Sequence, residues 1–227
     1  MRKGWKYWIF VRVPFWLLLA SMAIVTLLRW VPVRYTPVML KRAFQFRQEP
    51  GYRSEQEWVS LDEFSPELIK AVVLAEDQKF WKHHGFDWEE IGLMWELHRQ
   101  QGTLIRGCST ISQQTAKNVF TFGSPTIIRK GLEAWWTILI EMIWGKERIM
   151  EVYLNVVEMG QGLYGMQTAA RKYFGLSANE LSAKESVCLA VCLPAPLKCS
   201  PFNLSGNGIR RRNQLIASFQ KCIIIII

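Results

Sequence analysis

No acidic residue occurs in the first 48 positions of this 227-residue chain. Ahead of Glu49 stand nine basic residues, Arg2, Lys3, Lys6, Arg12, Arg29, Arg34, Lys41, Arg42 and Arg47, whereas the rest of the chain balances 19 basic residues against 19 acidic ones. The whole formal charge of +9 therefore belongs to the front end. A nucleic-acid-binding domain carries its basic residues on the folded body, so this distribution argues against nucleic acid as the partner and for a membrane-anchored, neutral domain. Strand-like alternation is scarce and no internal repeat is visible, which leaves a mostly α-helical reading. The five cysteines, Cys108, Cys188, Cys192, Cys199 and Cys222, are odd in number and show no CxxC spacing, which argues against a disulfide framework. Cys188 and Cys192 sit at helical i, i+4 spacing among apolar residues, where small buried side chains explain them better than a metal site. What the chain has in quantity is apolar surface. Its 50% hydrophobic and 13% aromatic content excludes a disordered or collagen-like chain and gives one domain ample core material.

From Tyr7 to Leu28 the chain is apolar except for Arg12, Ser21 and Thr26. About 22 residues at 1.5 Å each reach roughly 33 Å, enough to cross a hydrocarbon core. Trp5, Tyr7 and Trp8 flank one end and Trp30 and Tyr35 the other, as at two headgroup regions, and Pro14 falls early enough to kink the helix without destroying it. The basic residues before the apolar core place residues 1–6 in the cytoplasm, residues 7–28 across the membrane and the C-terminal domain outside. Ser21-Met22-Ala23 resembles a signal-peptide cleavage site, but it lies inside an apolar run too long for one.

Residues 29–57 read as a linker, within a Pro-containing, weakly extended connection that runs over 30–64. From Ser65 onward helix start signals recur: Ser65-Pro66-Glu67, Asp87 with Glu90, Ser124-Pro125, Ser177 with Glu180, and Ser182 with Glu185. They predict helices near 66–77, 87–100, 109–120, 125–144, 146–155, 164–173, 180–193 and 209–220. The stretch from Ala134 to Trp144 is hydrophobic nearly all round and too short for a second span, so it reads as the central core helix. Five isoleucines close the chain after Cys222 and fit no cap, turn or amphipathic pattern, so residues 221–227 are set aside as an unexplained tail.

Four polar clusters interrupt the apolar pattern. In Glu76-Asp77-Gln78-Lys79-Phe80-Trp81-Lys82-His83-His84-Gly85, two carboxylates follow an apolar helix face. Such a group either ends a helix in solvent or, against apolar walls, keeps its proton near neutral pH and can exchange it. His83 and His84 lack a third metal ligand at a recognisable spacing. In Arg106-Gly107-Cys108-Ser109-Thr110 through Asn118, a helix beginning near Ser109 places Thr110, Gln114 and Lys117 on one polar stripe, an exposed face or an anion site. Arg129 and Glu133 stand one turn apart at the start of the apolar helix, an ordinary i, i+4 pair or the edge of a cleft. Lys146 through Asn155, with Glu158 and Gly160, reads as an amphipathic helix ending in a polar turn.

In this order the four clusters resemble the motifs of the peptidoglycan glycosyltransferase family, which polymerises lipid-linked disaccharide-peptides into cell-wall glycan. Glu76-Asp77, Phe80, His83 and Gly85 match E-D-x-x-F-x-x-H-x-G. Gly107 to Gln114 with Lys117 and Asn118 match G-x-S-T-I-[ST]-Q-Q-x-x-K-N, Arg129, Lys130 and Glu133 match R-K-x-x-E, and Lys146, Ile149, Glu151, Tyr153-Leu154-Asn155 and Gly160 complete the set. The similarity runs over about 58–220, the expected glycosyltransferase domain. Cys108 departs from it, standing where a small residue is usual. Ser218-Phe219-Gln220-Lys221 fits S-x-x-K, but no further penicillin-binding transpeptidase motif follows, so the chain is similar to the monofunctional biosynthetic form.

The resemblance implies a lysozyme-like helical fold with a smaller membrane-associated lobe. It also implies a reaction in which the 4-hydroxyl of lipid II attacks the anomeric carbon of a growing strand, expelling polyprenyl pyrophosphate with inversion to a β-1,4 linkage. By the same resemblance Glu76 is the general base and Glu133 a second catalytic carboxylate. Asp77, Phe80, His83, Ser109, Thr110, Gln114, Lys117, Asn118, Arg129, Tyr153 and Asn155 line the substrate site, with Lys117 and Arg129 receiving the pyrophosphate. A divalent cation, Mg or Mn, has room near Asp77 or Glu133. Partners would be lipid II, the growing glycan, the inner membrane and other cell-wall synthesis proteins. A wall-cleaving glycosidase or lytic transglycosylase, and a noncatalytic wall-binding module, are the alternatives. A cleaving enzyme would leave Lys117 and Arg129 idle, and a binding module would leave Glu76 dispensable.

Overall fold

The computed structural model describes residues 8–102, 109–122 and 126–224. A π-helical turn, Trp8–Arg12, leads into α1 (Val13–Leu28), with Pro14 at the second helical position, where a missing N–H costs little. Phe10–Leu28, at mean hydropathy 2.0, is the one helical stretch among the described residues long and apolar enough to cross a membrane. Its last turns are not free of the body. Val25 and Ser21 are buried, and the Trp144 indole N–H donates to the Val25 carbonyl at 2.7 Å. The Arg148 guanidinium donates to the carbonyls of Leu28 at 2.8 Å and Val31 at 2.6 Å.

The expected extended connection contains a helix. Thr36 caps α2 (Pro37–Phe46) by accepting from the Met39 N–H at 3.2 Å, and Pro37 occupies the first turn. This is the same Thr/Ser-Pro signal that starts a helix at Ser65, concealed here by the extended Pro and Val residues before it. Beyond it, β1 (Glu55–Gln56) runs parallel to β3 (Leu163–Tyr164), which pairs antiparallel with β2 (Glu158–Gly160). Strands of two and three residues are too short to show alternation, which is why the sequence conceals them. Gly162 turns β2 into β3 at φ 71°, and a Cβ there would lie 2.1 Å from the Arg53 carbonyl oxygen, so only glycine fits.

The body is built from α3 (Pro66–Glu76), α4 (Trp88–Gln101), α5 (Ile111–Phe120), α6 (Ile127–Ile143), α7 (Gly145–Val156), α8 (Met166–Phe174), α9 (Ala183–Cys192) and α10 (Gly206–Ile224). Most predicted helices are present with ends shifted by a few residues. Thr126, not Ser124, caps α6; Ser124-Pro125 and Cys108 lie outside the described residues. Ser182 with Glu185 caps α9 as a reciprocal box, while Ser177 with Glu180 closes only a turn. The final helix continues to Ile224, so the first part of the unexplained tail is helical.

Helix α5 lies at the centre, against α2, α6 and α7, and α3 packs on α9 and α10. Phe80, Ile111, Ile140, Leu154 and Tyr153 are among the fully buried side chains. Each buried Leu, Ile or Phe contributes about 1.5–3 kcal/mol of transfer free energy. The expectation for α6 needs correction. Only Glu133, Thr137, Leu139 and Ile140 of this helix are buried, and its other face presents Ile127 (92% exposed), Ile128, Leu132, Ile138 and Met142. An all-round apolar helix is served by a core or by lipid, and one face of α6, the helix against which α1 packs, remains uncovered by the described residues.

Candidate active site

The apolar face of α3 (Leu68, Ala71 and Val72) fixes the helix against the core and delivers Glu76 at its last turn. One Glu76 carboxylate oxygen accepts from the Gln114 amide at 2.9 Å, and the other accepts from the Arg211 guanidinium at 2.9 Å. Gln114 is itself oriented by Tyr153, whose buried hydroxyl donates to the Gln114 carbonyl oxygen at 3.2 Å. Burial pushes the Tyr153 phenol well up, helped by the Glu76 charge, so it stays a donor. A chain Tyr153–Gln114–Glu76–Arg211 thus joins α7, α5, α3 and α10. Glu76 borders a cavity of about 420 Å³, shared with Asp77, Lys79, Glu90, Leu93 and Met94. Burial raises the proton affinity of Glu76, while the Gln114 hydrogen bond and the Arg211 and Lys117 charges oppose that rise. It is a desolvated carboxylate whose proton affinity stays above that of an ordinary carboxyl, which suits such a group to take up a proton near neutral pH.

Lys117 follows Gln114 along α5. Desolvation lowers its proton affinity; the Glu133 charge opposes this, and the Arg129 and Lys130 charges add to it. Glu133 is 2% exposed, paired with the Arg129 guanidinium and with the Lys130 ammonium at 2.9 Å, and Lys130 also reaches the Ser109 hydroxyl at 3.3 Å. Lys117, Arg129 and Lys130 therefore crowd one carboxylate, an arrangement relieved by an anion. Asn118 lies half-buried on the same helix.

Several residues expected at the substrate have other duties. Asp77 accepts from His83 Nε2 at 2.9 Å and from the Ile111 N–H at 2.9 Å, tying the end of α3 to the following loop and to the start of α5. Thr110 caps α5 by accepting from the Gln113 N–H, and its hydroxyl donates to the Gly85 carbonyl at 2.7 Å, so the polar stripe begins at Gln114. Phe80 is 0% exposed, in edge contact with Trp81 and His83 and beneath the Lys146 ammonium. Asn155 donates to the Val59 and Glu151 carbonyls, both at 2.8 Å, and accepts from the Val59 N–H at 3.0 Å, pinning α7 to the segment after β1. Phe80, Thr110 and Asn155 hold the elements around the site together, and Asp77 does so while also bordering the Glu76 cavity. Gly85, at φ 89°, lies so close to α6 that a Cβ would sit 2.9 Å from Thr137 Cγ2.

Two members escaped the sequence reading. Arg211 is 135 positions from Glu76, and its only signal was the run Arg210-Arg211-Arg212 within an amphipathic helix. Glu90 stands on the Glu76 cavity with its proton affinity raised by burial and by the Asp87 and Asp77 charges. A resident divalent cation fits poorly near Asp77 or Glu133, because hydrogen bonds and cations already engage both carboxylates. Among the described residues no group of three or more His, Cys, Asp or Glu is placed to hold a metal ion.

A family model described as Transglycosylase matches residues 41–220. The chain belongs to the transglycosylase family. Its mostly helical, lysozyme-like fold is that of a transglycosylase, a glycosyl-transferring enzyme. Similar transglycosylases include a "Biosynthetic peptidoglycan transglycosylase" of Caulobacter vibrioides, 46% identical over 85% of this chain and 81% of that protein. Proteins of the same name from Pseudomonas aeruginosa and Shewanella oneidensis are 46% and 47% identical, over 87% and 82% of this chain and 84% and 79% of theirs.

Proposed function

We propose that this transglycosylase polymerises cell-wall glycan, transferring a polyprenyl-pyrophosphate-linked strand to the 4-hydroxyl of lipid II with inversion to a β-1,4 linkage. The observation that carries this reading is the pairing of one desolvated carboxylate, Glu76, with a separate cation cluster, Lys117, Arg129 and Lys130. A hydroxyl nucleophile needs a base, and Glu76 takes its proton. Pyrophosphate is a good leaving group that needs positive charge more than a proton donor, and the cluster supplies it. Glu133 spaces Arg129 and Lys130 by binding both and forms no covalent intermediate. Arg211 and the Tyr153–Gln114 pair aim the Glu76 carboxylate and limit how far burial raises its proton affinity. No step runs through a metal.

The anchor and the apolar face of α6 support a place at the membrane, where a lipid-linked substrate is embedded. The basic residues ahead of the span favour a cytoplasmic N-terminus and an extracytoplasmic catalytic domain. The test is to incubate the detergent-solubilised full chain with lipid-linked disaccharide-peptide, and separately with preformed glycan, and to size the products. Long glycan from the first and no shortening of the second are expected. Shortening of preformed glycan would make the protein a glycosidase, and binding without turnover would make it a wall-binding module.

A further inference from the structure

The site leaves unexplained a thiol pair at the end of α9. Cys192, the last residue of that helix, is buried, and Cys199, half-buried in the turn that follows, places its sulfur 3.0 Å from the Cys192 sulfur. The turn between them is tightly folded: the Ala195 N–H donates to the Cys192 carbonyl at 3.1 Å and the Lys198 N–H to the Ala195 carbonyl at 2.9 Å. Pro194 and Pro196 stiffen it further. Two thiols held in contact across a short, rigid turn need almost no backbone movement to join.

We propose that Cys192 and Cys199 form a disulfide that staples the end of α9 to the segment leading into α10, the helix that carries Arg211. This rests on the extracytoplasmic placement of the domain proposed above, because a disulfide persists there and not in the cytoplasm. The oxidant is a disulfide of the glutathione or protein-oxidase class. The more accessible Cys199, as thiolate, attacks one oxidant sulfur and expels the other as a thiolate, giving a mixed disulfide. Cys192 then loses its proton and attacks Cys199 Sγ, expelling the second oxidant thiolate. Two protein thiols lose two protons and two electrons, and one oxidant disulfide becomes two thiols. Burial raises the proton affinity of the Cys192 thiol, which disfavours it as the first attacker, and the 3.0 Å contact with Cys199 favours it in the second, intramolecular step. Cys188, one helical turn before Cys192, is left as a thiol, because the Cys192–Cys199 contact leaves it no partner in this exchange.

The pair is tested with the purified full chain in a glutathione redox buffer, followed by acid quench, alkylation and peptide mass spectrometry. A peptide cross-linked through Cys192 and Cys199, with Cys188 alkylated, is the expected product. Cross-linking should survive Cys188→Ser and vanish in Cys199→Ser, and oxidation should raise the melting temperature of the wild type by ~5 °C without moving that of Cys199→Ser. Cys199 recovered alkylated, or carrying glutathione alone, would overturn the proposal. The same peptide map on protein alkylated directly in cells, beside a reporter of which side of the membrane the domain occupies, separates the two readings. A cytoplasmic domain whose purified form still cross-links would refute the placement and leave the pair standing. An extracytoplasmic domain with both thiols free would refute the pair.

Discussion

At the scale of single residues, Glu76 is a balance between burial, which raises its proton affinity, and Gln114, Arg211 and Lys117, which lower it. Arg211→Ala removes one of the opposing charges. The acidic limb of the pH–rate profile should then move to higher pH, and an unmoved limb would show that Arg211 does not act on Glu76. The same imbalance fixes a stability sign. A carboxyl whose folded proton affinity exceeds its unfolded value contributes stability below the unfolded pKa and loses it as pH rises through the folded pKa. Above that range ionised Glu76 weighs against the fold, so Glu76→Gln is expected to raise the melting temperature at neutral pH while lowering the rate. A fall in melting temperature would contradict the desolvation argument. Glu76, Gln114 and Lys117 were legible in the sequence because adjacent motifs place them. Arg211 was not, because a contact spanning 135 positions leaves no trace in local spacing.

At the scale of elements, capping chemistry made most helices legible, and it misled where a capping pair closes only a turn, as at Ser177 and Glu180, or where competing signals overlay it. Thr36-Pro37 starts α2 as surely as Ser65-Pro66 starts α3, but it follows residues whose extended preference dominates the local pattern. Motif spacing likewise marks which residues belong to the site region without telling which are buried. Phe80, Asp77, Thr110 and Asn155 carry the motifs and spend their side chains holding elements together. Asn155→Ala breaks three hydrogen bonds and strands both polar groups of Val59, at a cost of about 2 kcal/mol, read by chemical denaturation. The loss should appear in stability first and in substrate affinity only through the fold. A large rise in KM at unchanged stability would return Asn155 to the substrate.

At the scale of the whole molecule, the basic front end, the apolar N-terminal helix and the exposed apolar face of α6 are accounted for together by the proposed place at the membrane. Trp144 and Arg148 clasp the end of α1, so anchor and body meet at a fixed corner instead of a loose tether. Ile128→Lys places a charge on the exposed face of α6. It should reduce turnover of vesicle-embedded substrate by about tenfold, through ~1–2 kcal/mol of lost interfacial contact. A short-chain, water-soluble donor should be affected little, and equal losses on both substrates would deny that this face meets lipid. On the proposed function the charge of +9 belongs with the membrane-facing front end, and the transfer draws only on the few cations around Glu133.

The proposed base at the end of α3 is tested most directly by the rate of glycan polymerisation from lipid-linked disaccharide-peptide, compared between the wild type and Glu76→Gln in the same detergent at neutral pH. A loss of about 10²–10⁴-fold, in a variant that melts no lower than the wild type, is expected of a general base. Equal polymer from the two proteins would contradict it.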